Sequence, residues 1–350
     1  MDIYWVWLSR IKFVGPVLQK QLLSHFPTPK AVYGAKEDEL SEVHGMTKKA
    51  IQSIASSRCL KEAESIMKAT QKSGVSLFVF DNELYPEFAK GCKESPILLY
   101  FRGELKPFQT SVGVVGARRC SSYGRKIAEW IGEELAELNI PVISGFAKGI
   151  DSYAQAACVR KGGYTIAFLG CGPDICYPPE QRLLYHKILE NGGTFLSKYP
   201  PGTPPKPKHF LERNALISAW STELVIVEAG EQSGALWTAN FASQNNKPVY
   251  AVPNQIDTPE GAGTNLLLSR GIPPYLGIRS LQTAKNAMKN MPSATPCPDN
   301  NILQMLSRAP ATILQLANGL NINETVLMDQ LLDLELEKKI IIRGNIVYKL

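Results

Sequence analysis

The sequence predicts an α/β protein with a mostly parallel sheet, a small N-terminal helical domain and a C-terminal winged helix. From about residue 75 to 278, short β-branched runs alternate with amphipathic helices, which is typical of a parallel sheet covered by helices. Two glycine-rich turns directly follow apolar runs within this region, and the last fifty or so residues have the pattern of three helices and a hairpin. A chain of 350 residues that is 44% hydrophobic and 20% charged is long enough for two or three domains with normal cores.

We expect four segments: a helical domain at 1–73, an α/β domain at 74–280, a linker at 281–299 and a winged helix at 300–350. Apolar residues at helical spacing support the first segment. Its turn at His44-Gly45 loosely resembles a helix-hairpin-helix turn, which binds nucleic-acid backbones, but has one glycine where that motif usually has two. A packing role is therefore favoured. The apolar opening stretch is too short for a membrane span and lacks a basic n-region.

Seven short runs are predicted to be the strands of the α/β domain: Val75–Phe80, Val112–Val115, Val142–Ser144, Thr165–Leu169, Thr194–Leu196, Leu224–Val227 and Pro248–Ala251. Ligands of such sheets bind at the carboxyl ends of the strands, which is where both glycine turns fall. Backbone N–H groups at the helix starts, together with Arg118 and Lys148, predict a phosphate-binding pocket there. Asp151 is expected to cap the second helix.

Two later segments add to the predicted pocket. The proline-rich stretch 200–210 is expected to form an extended loop, not a helix, that presents Lys206, Lys208 and His209 beside Phe210. Cations for phosphates and a ring for base stacking suit a single-stranded nucleic-acid groove. Ser233-Gly234 opens a helix at another strand end and predicts a third backbone anion site.

The remaining patterns exclude several classes. The net charge is +6, but residues 74–280 carry 20 Lys/Arg against 19 Asp/Glu, so a nucleic-acid site there must be a local patch. Seven scattered cysteines are typical of reduced thiols in a cytoplasmic protein. Four scattered histidines do not predict a metal site, and no catalytic motif is present, so we expect no metal, no cofactor and no enzymatic activity.

Six motifs in order resemble the DprA/Smf family of DNA-processing proteins over about residues 75–275: VGVVGARRCSSYG, VISGFAKGID, YTIAFLGCGPDICYPPE, HFLERN, VIVEAGEQSGALWTA and PN…GAGTN. The resemblance implies an extended Rossmann-like fold with an N-terminal SAM-like or helix-hairpin-helix-like domain and a winged helix. It implies sequence-independent binding of single-stranded DNA, a homodimer, and loading of RecA onto incoming DNA that is protected from single-strand-binding protein during natural transformation. Arg118, Lys208 and Phe210 match DNA contacts of the family.

The motifs and the turns together give the candidate DNA-binding residues: Gly116, Arg118, Arg119, Ser121, Tyr123, Gly124, Ser144, Gly145, Lys148, Gly149, Lys206, Lys208, Phe210, Arg213, Asn214, Ser233, Gly234 and Thr238.

The chain departs from the family pattern at three of its pocket positions. The family usually has arginine where Lys148 stands, histidine at Gln155 and arginine at Ala215. Lysine keeps charge but loses bidentate phosphate geometry, and Ala215 loses charge outright. We hypothesise that Lys198 and Lys206 compensate.

Two alternatives stay open for the function of the α/β domain. The same pocket could serve an enzyme that cleaves nucleotide phosphoribosyl bonds, with Glu228 as its acid, or a nucleotide sensor.

The would-be recognition helix of the winged helix, at 323–339, carries five acidic residues against two lysines, which suits a protein contact better than a phosphate-lined groove.

Overall fold

Two compact units, Met1–Ala287 and Met288–Leu350, make up the chain. The computed structural model describes residues 3–290, 298–307, 309–320, 322–336 and 338–350. The first unit carries a sheet of eight strands, and the second carries a sheet of three.

The first unit begins with six helices: α1 (Ile3–Arg10), α2 (Pro16–His25), α3 (Pro29–Gly34), α4 (Glu37–Ser41), α5 (Lys48–Ser56) and α6 (Lys61–Lys72). Proline starts α2 and α3, because its missing N–H would have no helical partner at that position. The side chain of Thr47 caps α5 by accepting the N–H of Ala50 at 3.2 Å. The predicted N-terminal helical segment is confirmed.

The apolar core of these helices continues past residue 73 onto the first two strands of the sheet. Trp7, Leu22 and Ile54 of the helices are buried in the same cluster as Leu77 and Tyr100 of the strands. The helical segment and the sheet therefore share one core and fall within one compact unit.

The eight strands of the large sheet are β1 (Ser76–Val79), β2 (Leu98–Gly103), β3 (Val112–Val115), β4 (Val142–Ser144), β5 (Thr165–Phe168), β6 (Thr194–Ser197), β7 (Glu223–Ile226) and β8 (Val249–Ala251). Their order is β1-β2-β6-β5-β4-β3-β7-β8. Neighbours from β6 to β8 are parallel, whereas β1 and β2 pair antiparallel with each other and β2 pairs antiparallel with β6. The chain runs outward from β3 in one direction and returns to β7 on the other side, so β3 and β7 form the switch point where such sheets bind ligands.

The helices of this sheet are α7 (Glu87–Lys90), α8 (Ser122–Glu137), α9 (Ile150–Arg160), α10 (Arg182–Glu190), α11 (Pro207–Ala219), α12 (Gly234–Gln244), α13 (Ala262–Ser269) and α14 (Gln282–Asn290), with 3-10 turns at Pro179–Gln181 and Ile278–Ser280. Helices α8 and α9 pack against one another, as do α11 and α12. Every residue of β3, β4 and β5 is buried, which is expected of parallel strands that helices cover. The predicted α/β fold is confirmed.

All seven predicted strands are present, with small shifts at their ends, but β2 was missed. Leu98, Leu99 and Tyr100 are all buried, so the strand has no apolar–polar alternation. Periodicity does not distinguish such a run from a buried helical segment.

The second unit contains α15 (Pro298–Leu306), α16 (Ile313–Leu320), α17 (Glu324–Leu336), β9 (Ala311–Thr312), β10 (Ile340–Arg343) and β11 (Ile346–Lys349). Its strands form an antiparallel sheet in the order β10-β11-β9. Ile302, Leu316, Leu331 and Val347 are buried together in its core. Three helices with a terminal hairpin confirm the winged-helix prediction.

Two parts of the predicted linker at 281–299 are helical, since residues 282–290 form α14 and residues 298–299 belong to α15. The N–H groups of Gln282 and Thr283 donate to the two carboxylate oxygens of Glu223, both at 2.9 Å, which fixes the start of α14 to β7. Residues 291–297 of that prediction lie outside the described residues.

No helix in the described ranges combines the length and apolar character that crossing a membrane requires.

Candidate functional site

Two adjoining cavities lie at the carboxyl ends of the parallel strands. The larger, of about 680 Å³, is lined by the turn after β3 and by the segment that joins β7 to α12. The smaller, of about 290 Å³, is lined by the turns after β4 and β5. Both therefore lie beside the switch point between β3 and β7.

The structure divides the candidate residues into two groups. Those that line one or both cavities are Gly116, Arg118, Arg119, Gly145, Lys148, Phe210, Arg213, Asn214, Ser233, Gly234 and Thr238. Those that line neither cavity are Ser121, Tyr123, Gly124, Ser144, Gly149, Lys206 and Lys208.

Arg118 and Phe210 form the centre of the site. The guanidinium carbon of Arg118 lies 5.3 Å from the centroid of the Phe210 ring, and both residues line both cavities. The Arg118 side chain is exposed, and the described residues offer it no ion pair. It is therefore a cation held over an aromatic face and available to an anionic ligand.

Arg213 lies behind Phe210 and is buried, unlike Arg118. Its Nη1 is 3.8 Å from Asp151 Oδ2, and only 4% and 7% of the two side chains are exposed. Burial raises the pKa of Asp151, against the opposing charge of Arg213 and hydrogen bonds from the backbone. Asp151 Oδ2 also accepts the N–H groups of Gly145 and Ala147 at 3.1 and 3.4 Å. Arg213 is thus half of a buried ion pair that supports the site.

The expectation that Asp151 caps α9 was wrong, because Gly149 is the N-cap residue and Asp151 lies within the first turn. Its carboxylate instead organises the turn that precedes the helix. Gly145 in that turn has room for no side chain, since an added Cβ would lie 1.2 Å from Arg213 Nη1.

An acidic side chain of the protein itself accepts one backbone N–H group at the first glycine turn. The backbone N–H and the hydroxyl of Ser121 donate to the Glu228 carboxylate at 2.8 and 2.6 Å. Glu228 is only 1% exposed, and an added Cβ at Gly124 would lie 2.5 Å from its Oε2. Glu228 at the first turn and Asp151 at the second thus accept some of the backbone N–H groups that the sequence predicted for a phosphate.

Three further candidates are held in structural contacts. Ser144 is fully buried and donates to the carbonyl of Val114 at 2.6 Å. Tyr123 donates to the carbonyl of Pro253 at 3.2 Å. Gly149 adopts a φ of +91°, and an added Cβ there would lie 2.3 Å from the carbonyl oxygen of Ala117. These residues shape the turns and line neither cavity.

The loop predicted at 200–210 ends earlier than expected. Helix α11 begins at Pro207, because proline is favoured in the first turn, so Lys208, His209 and Phe210 are helical. Arg213 and Asn214 belong to the same helix and lie in its second turn. His209 stacks on Tyr199 with ring centroids 3.9 Å apart, and its Nδ1 lies 3.0 Å from the carbonyl of Gly170. Among the loop candidates, only Phe210 reaches the cavities.

Glu212 holds two nearby lysines. Its carboxylate is 2.7 Å from Lys198 Nζ and 3.6 Å from Lys208 Nζ, and it also accepts the hydroxyl of Tyr199. Burial alone would raise the pKa of Glu212, but the hydrogen bonds from Lys198 and Tyr199 and the charge of Lys208 outweigh it and lower that pKa. This pairing argues against the hypothesis that Lys198 compensates for missing cations, and Lys206, although exposed, lines neither cavity.

Two aromatic residues of the site were missed. Trp237 of α12 is 54% exposed and lines the larger cavity. Tyr177 is 38% exposed, lines the smaller cavity and lies 5.6 Å from Phe210, measured between ring centroids. Each occurs within a motif that carried the family resemblance. The signal that could have identified them is a large aromatic residue in the segment that follows the end of a parallel strand.

The departures at Gln155 and Ala215 do not alter the cavity lining. Gln155 is fully buried, accepts the N–H of Phe146 at 3.2 Å and donates to Thr165 at 2.9 Å. Ala215 is buried within α11. Gln155 thus supports the second glycine turn through its hydrogen bond with Phe146. Lys148 remains an exposed cation of the smaller cavity.

The described residues hold no group of three or more His, Cys, Asp or Glu side chains placed to bind a metal ion. The site offers three exposed cations, exposed aromatic faces and the first turn of α12. These groups can bind phosphates and stack on planar rings.

The family model of DNA recombination-mediator protein A matches residues 76–284 of the chain, and the model of a SAM-like helix-hairpin-helix tandem matches residues 8–57. Protein Smf of Synechocystis sp. is 33% identical over 290 residues, which cover 81% of this chain and 73% of that protein. The second match agrees with the predicted N-terminal domain.

Two solved structures are similar to the chain. DNA processing protein A of Streptococcus pneumoniae superposes with a TM-score of 0.69 at 25% identity, over 83% of this chain and 98% of that one. DNA processing protein A of Helicobacter pylori, described for its single-stranded DNA binding mode, gives a TM-score of 0.54 at 28% identity, over 62% of this chain and 98% of that one. Since the family model spans more than half of its length, the chain belongs to the DNA recombination-mediator protein A (DprA/Smf) family.

Proposed function

We propose that the chain binds single-stranded DNA without sequence preference at the two cavities and acts as a recombination mediator. The observation that carries this proposal is the pairing of exposed Arg118 with the Phe210 ring at 5.3 Å, between two cavities that also expose Tyr177 and Trp237. Stacking on aromatic rings accepts any base, and cations follow the backbone, which together give binding that tolerates any sequence.

The contacts of the acidic residues favour binding over catalysis. Glu228, the acid that an enzyme at this site would need, is buried and accepts two hydrogen bonds from Ser121. Asp151 is buried in its ion pair with Arg213. Both carboxylates support the turns, so we propose that the site binds its ligand without transforming it.

We further propose that the chain delivers this DNA to RecA, in competition with single-strand-binding protein, and that it acts in the cytoplasm as a homodimer during natural transformation. Membership of the family supports these proposals. These proposals add protein partners but leave the proposed way of binding DNA unchanged.

Binding of fluorescent oligo-dT across a salt series tests the proposed site. Three exposed cations line the cavities, namely Arg118, Arg119 and Lys148. At about 0.7 per phosphate contact, the slope of log K against log salt concentration is expected to be near −2. Oligo-dA should bind comparably, because stacking does not read base edges. A slope near zero, or binding only of mononucleotides, would contradict the proposal.

Changing Glu212 to glutamine is expected to tighten oligo-dT binding. The change releases Lys198 and Lys208 from their ion pairs. A gain of roughly threefold corresponds to the ~0.2–1 kcal/mol of such partly exposed pairs.

The control for this change is Glu129→Gln, which removes the same charge from an ion pair with Arg125 on α8. Neither of these two residues lines a cavity. An equal gain in both variants would show that only net charge matters, and weaker binding by Glu212→Gln would refute the expectation.

A further inference from the structure

A second groove lies on the N-terminal helices, within the first unit of the chain. It has a volume of about 540 Å³ and is lined by residues of α1, of the turn after it and of α5, by Ser57, and by one acidic residue, Glu62 of α6, which pairs with Arg10. We call it the N-terminal groove and define it by Arg10, Lys12, Phe13, Lys49, Gln52 and Ser53.

Phe13 is the most informative residue of this groove. Its φ is +64°, a left-handed conformation that residues other than glycine rarely adopt, and 58% of the residue is exposed. The ammonium group of Lys49 lies 3.9 Å from the centroid of its ring. A strained backbone that exposes an aromatic ring beneath a cation suggests a role in binding rather than in packing.

The neighbouring residues hold this turn in place. Ile11 and Val14, on either side, are buried in the helical core. The buried side chain of Gln19 donates to the carbonyls of Leu8 and Val14 at 3.1 and 2.9 Å. The backbone of the turn that carries Phe13 is therefore fixed before any ligand arrives, which lowers the entropic cost of binding there.

The charge of the groove suits an anion. Lys12 and Lys49 are exposed, and the described residues provide neither with an ion pair, whereas Arg10 pairs with Glu62 at 3.2 Å. The hydroxyl of Ser53 and the amide of Gln52 add neutral hydrogen-bonding groups along the exposed side of α5. The N-terminal groove therefore offers the same kinds of groups as the two cavities, namely cations and polar groups around an exposed aromatic ring.

We propose that the N-terminal groove is a second single-stranded DNA site, in which Lys12 and Lys49 bind phosphates and the Phe13 ring stacks on a base. This inference rests on the proposed function, since the groove would engage a longer strand whose other part occupies the cavities. Turn residues of the helix-hairpin-helix motif, such as Gly45, do not line it.

The test compares oligo-dT of roughly 6 nucleotides, near the lower range of one binding site, with oligo-dT of about 40 nucleotides, using the full chain. The variant Lys12→Ala/Lys49→Ala should leave binding of the short strand unchanged. It should weaken binding of the long strand about tenfold and reduce its salt slope by about 1.4, for two contacts at ~0.7 each. The control variant Lys68→Ala/Lys72→Ala removes the same charge from exposed positions of α6 outside the groove and should change neither.

A second variant distinguishes the loss of base stacking on Phe13 from a loss of protein stability. Phe13→Gly removes the ring and the backbone strain together, so its thermal midpoint should rise or stay unchanged while long-strand affinity falls about fivefold, as expected for one lost stack. Loss of affinity with a lowered midpoint would indicate a purely structural role and overturn the inference.

The outcomes distinguish the two proposals. Failure of the wild type to bind the short strand would contradict the proposed function of the cavities. If the short strand binds normally and both groove variants bind the long strand as the wild type does, the second site alone is overturned. A groove that binds an acidic protein segment instead of DNA would give this result.

Discussion

Affinity for oligo-dT is expected to fall at least about 60-fold when Arg118 and Phe210 are both changed to alanine. A stacked base contributes ~1–3 kcal/mol, and a charge-assisted phosphate contact contributes ~1.5–3 kcal/mol. Their sum of at least about 2.5 kcal/mol corresponds to a change of about 60-fold in the dissociation constant. Fluorescence anisotropy at fixed salt measures the change directly.

The two single variants and the double variant form a cycle that measures the coupling between these residues. Because Arg118 lies 5.3 Å from the Phe210 ring, removal of either side chain should disturb the other, and the single losses should sum to more than the double loss. Arg160→Ala is the control, since Arg160 is an exposed arginine of α9 that lines neither cavity. Affinity equal to that of Arg160→Ala would refute the assignment of the site.

The largest expected loss of stability follows from changing Asp151 to alanine. The change leaves the Arg213 guanidinium, only 4% exposed, without its counter-ion and frees the N–H groups of Gly145 and Ala147. Breaking a buried pair in this way costs about 3–5 kcal/mol, a large part of the ~5–15 kcal/mol that stabilises a typical protein. Urea unfolding should show a much lower midpoint.

Glu133→Ala is the matched control for this loss, because it breaks an exposed pair with Arg160 and should cost less than about 1 kcal/mol. The double variant Asp151→Leu/Arg213→Met removes both charges and should recover much of the stability. If Asp151→Ala were as stable as Glu133→Ala, the buried pair would not support the second glycine turn.

The parallel core of the fold could be predicted because its signals are local. Strands such as Val112–Val115 are short, mostly β-branched runs that end in glycine turns, and such runs form buried strands in α/β proteins. Strand β2 could not be recognised in this way, since its antiparallel place between β1 and β6 depends on pairing with distant segments.

The central residues of the site could be predicted for the same reason, but their partners could not. Arg118 follows a strand end, and Phe210 follows a run of prolines and lysines, so both are evident from short segments. The contact between Ser121 and Glu228 joins residues 107 positions apart, and nothing near either one in the sequence indicates it. The sequence therefore did not reveal that a carboxylate of the protein accepts the N–H of Ser121.

Under the proposed function, the carboxylates of Glu228 and Asp151 favour binding by avidity. They already accept the N–H groups of Ser121, Gly145 and Ala147, so fewer backbone donors in the two glycine turns are left for a single phosphate. Each nucleotide is left with weak contacts to a side-chain cation and a ring. A polymer gains affinity by making several such contacts at once, because each bound unit raises the effective concentration of the next. The proposed site would therefore favour a strand over the free nucleotides of the cell, which compete one at a time.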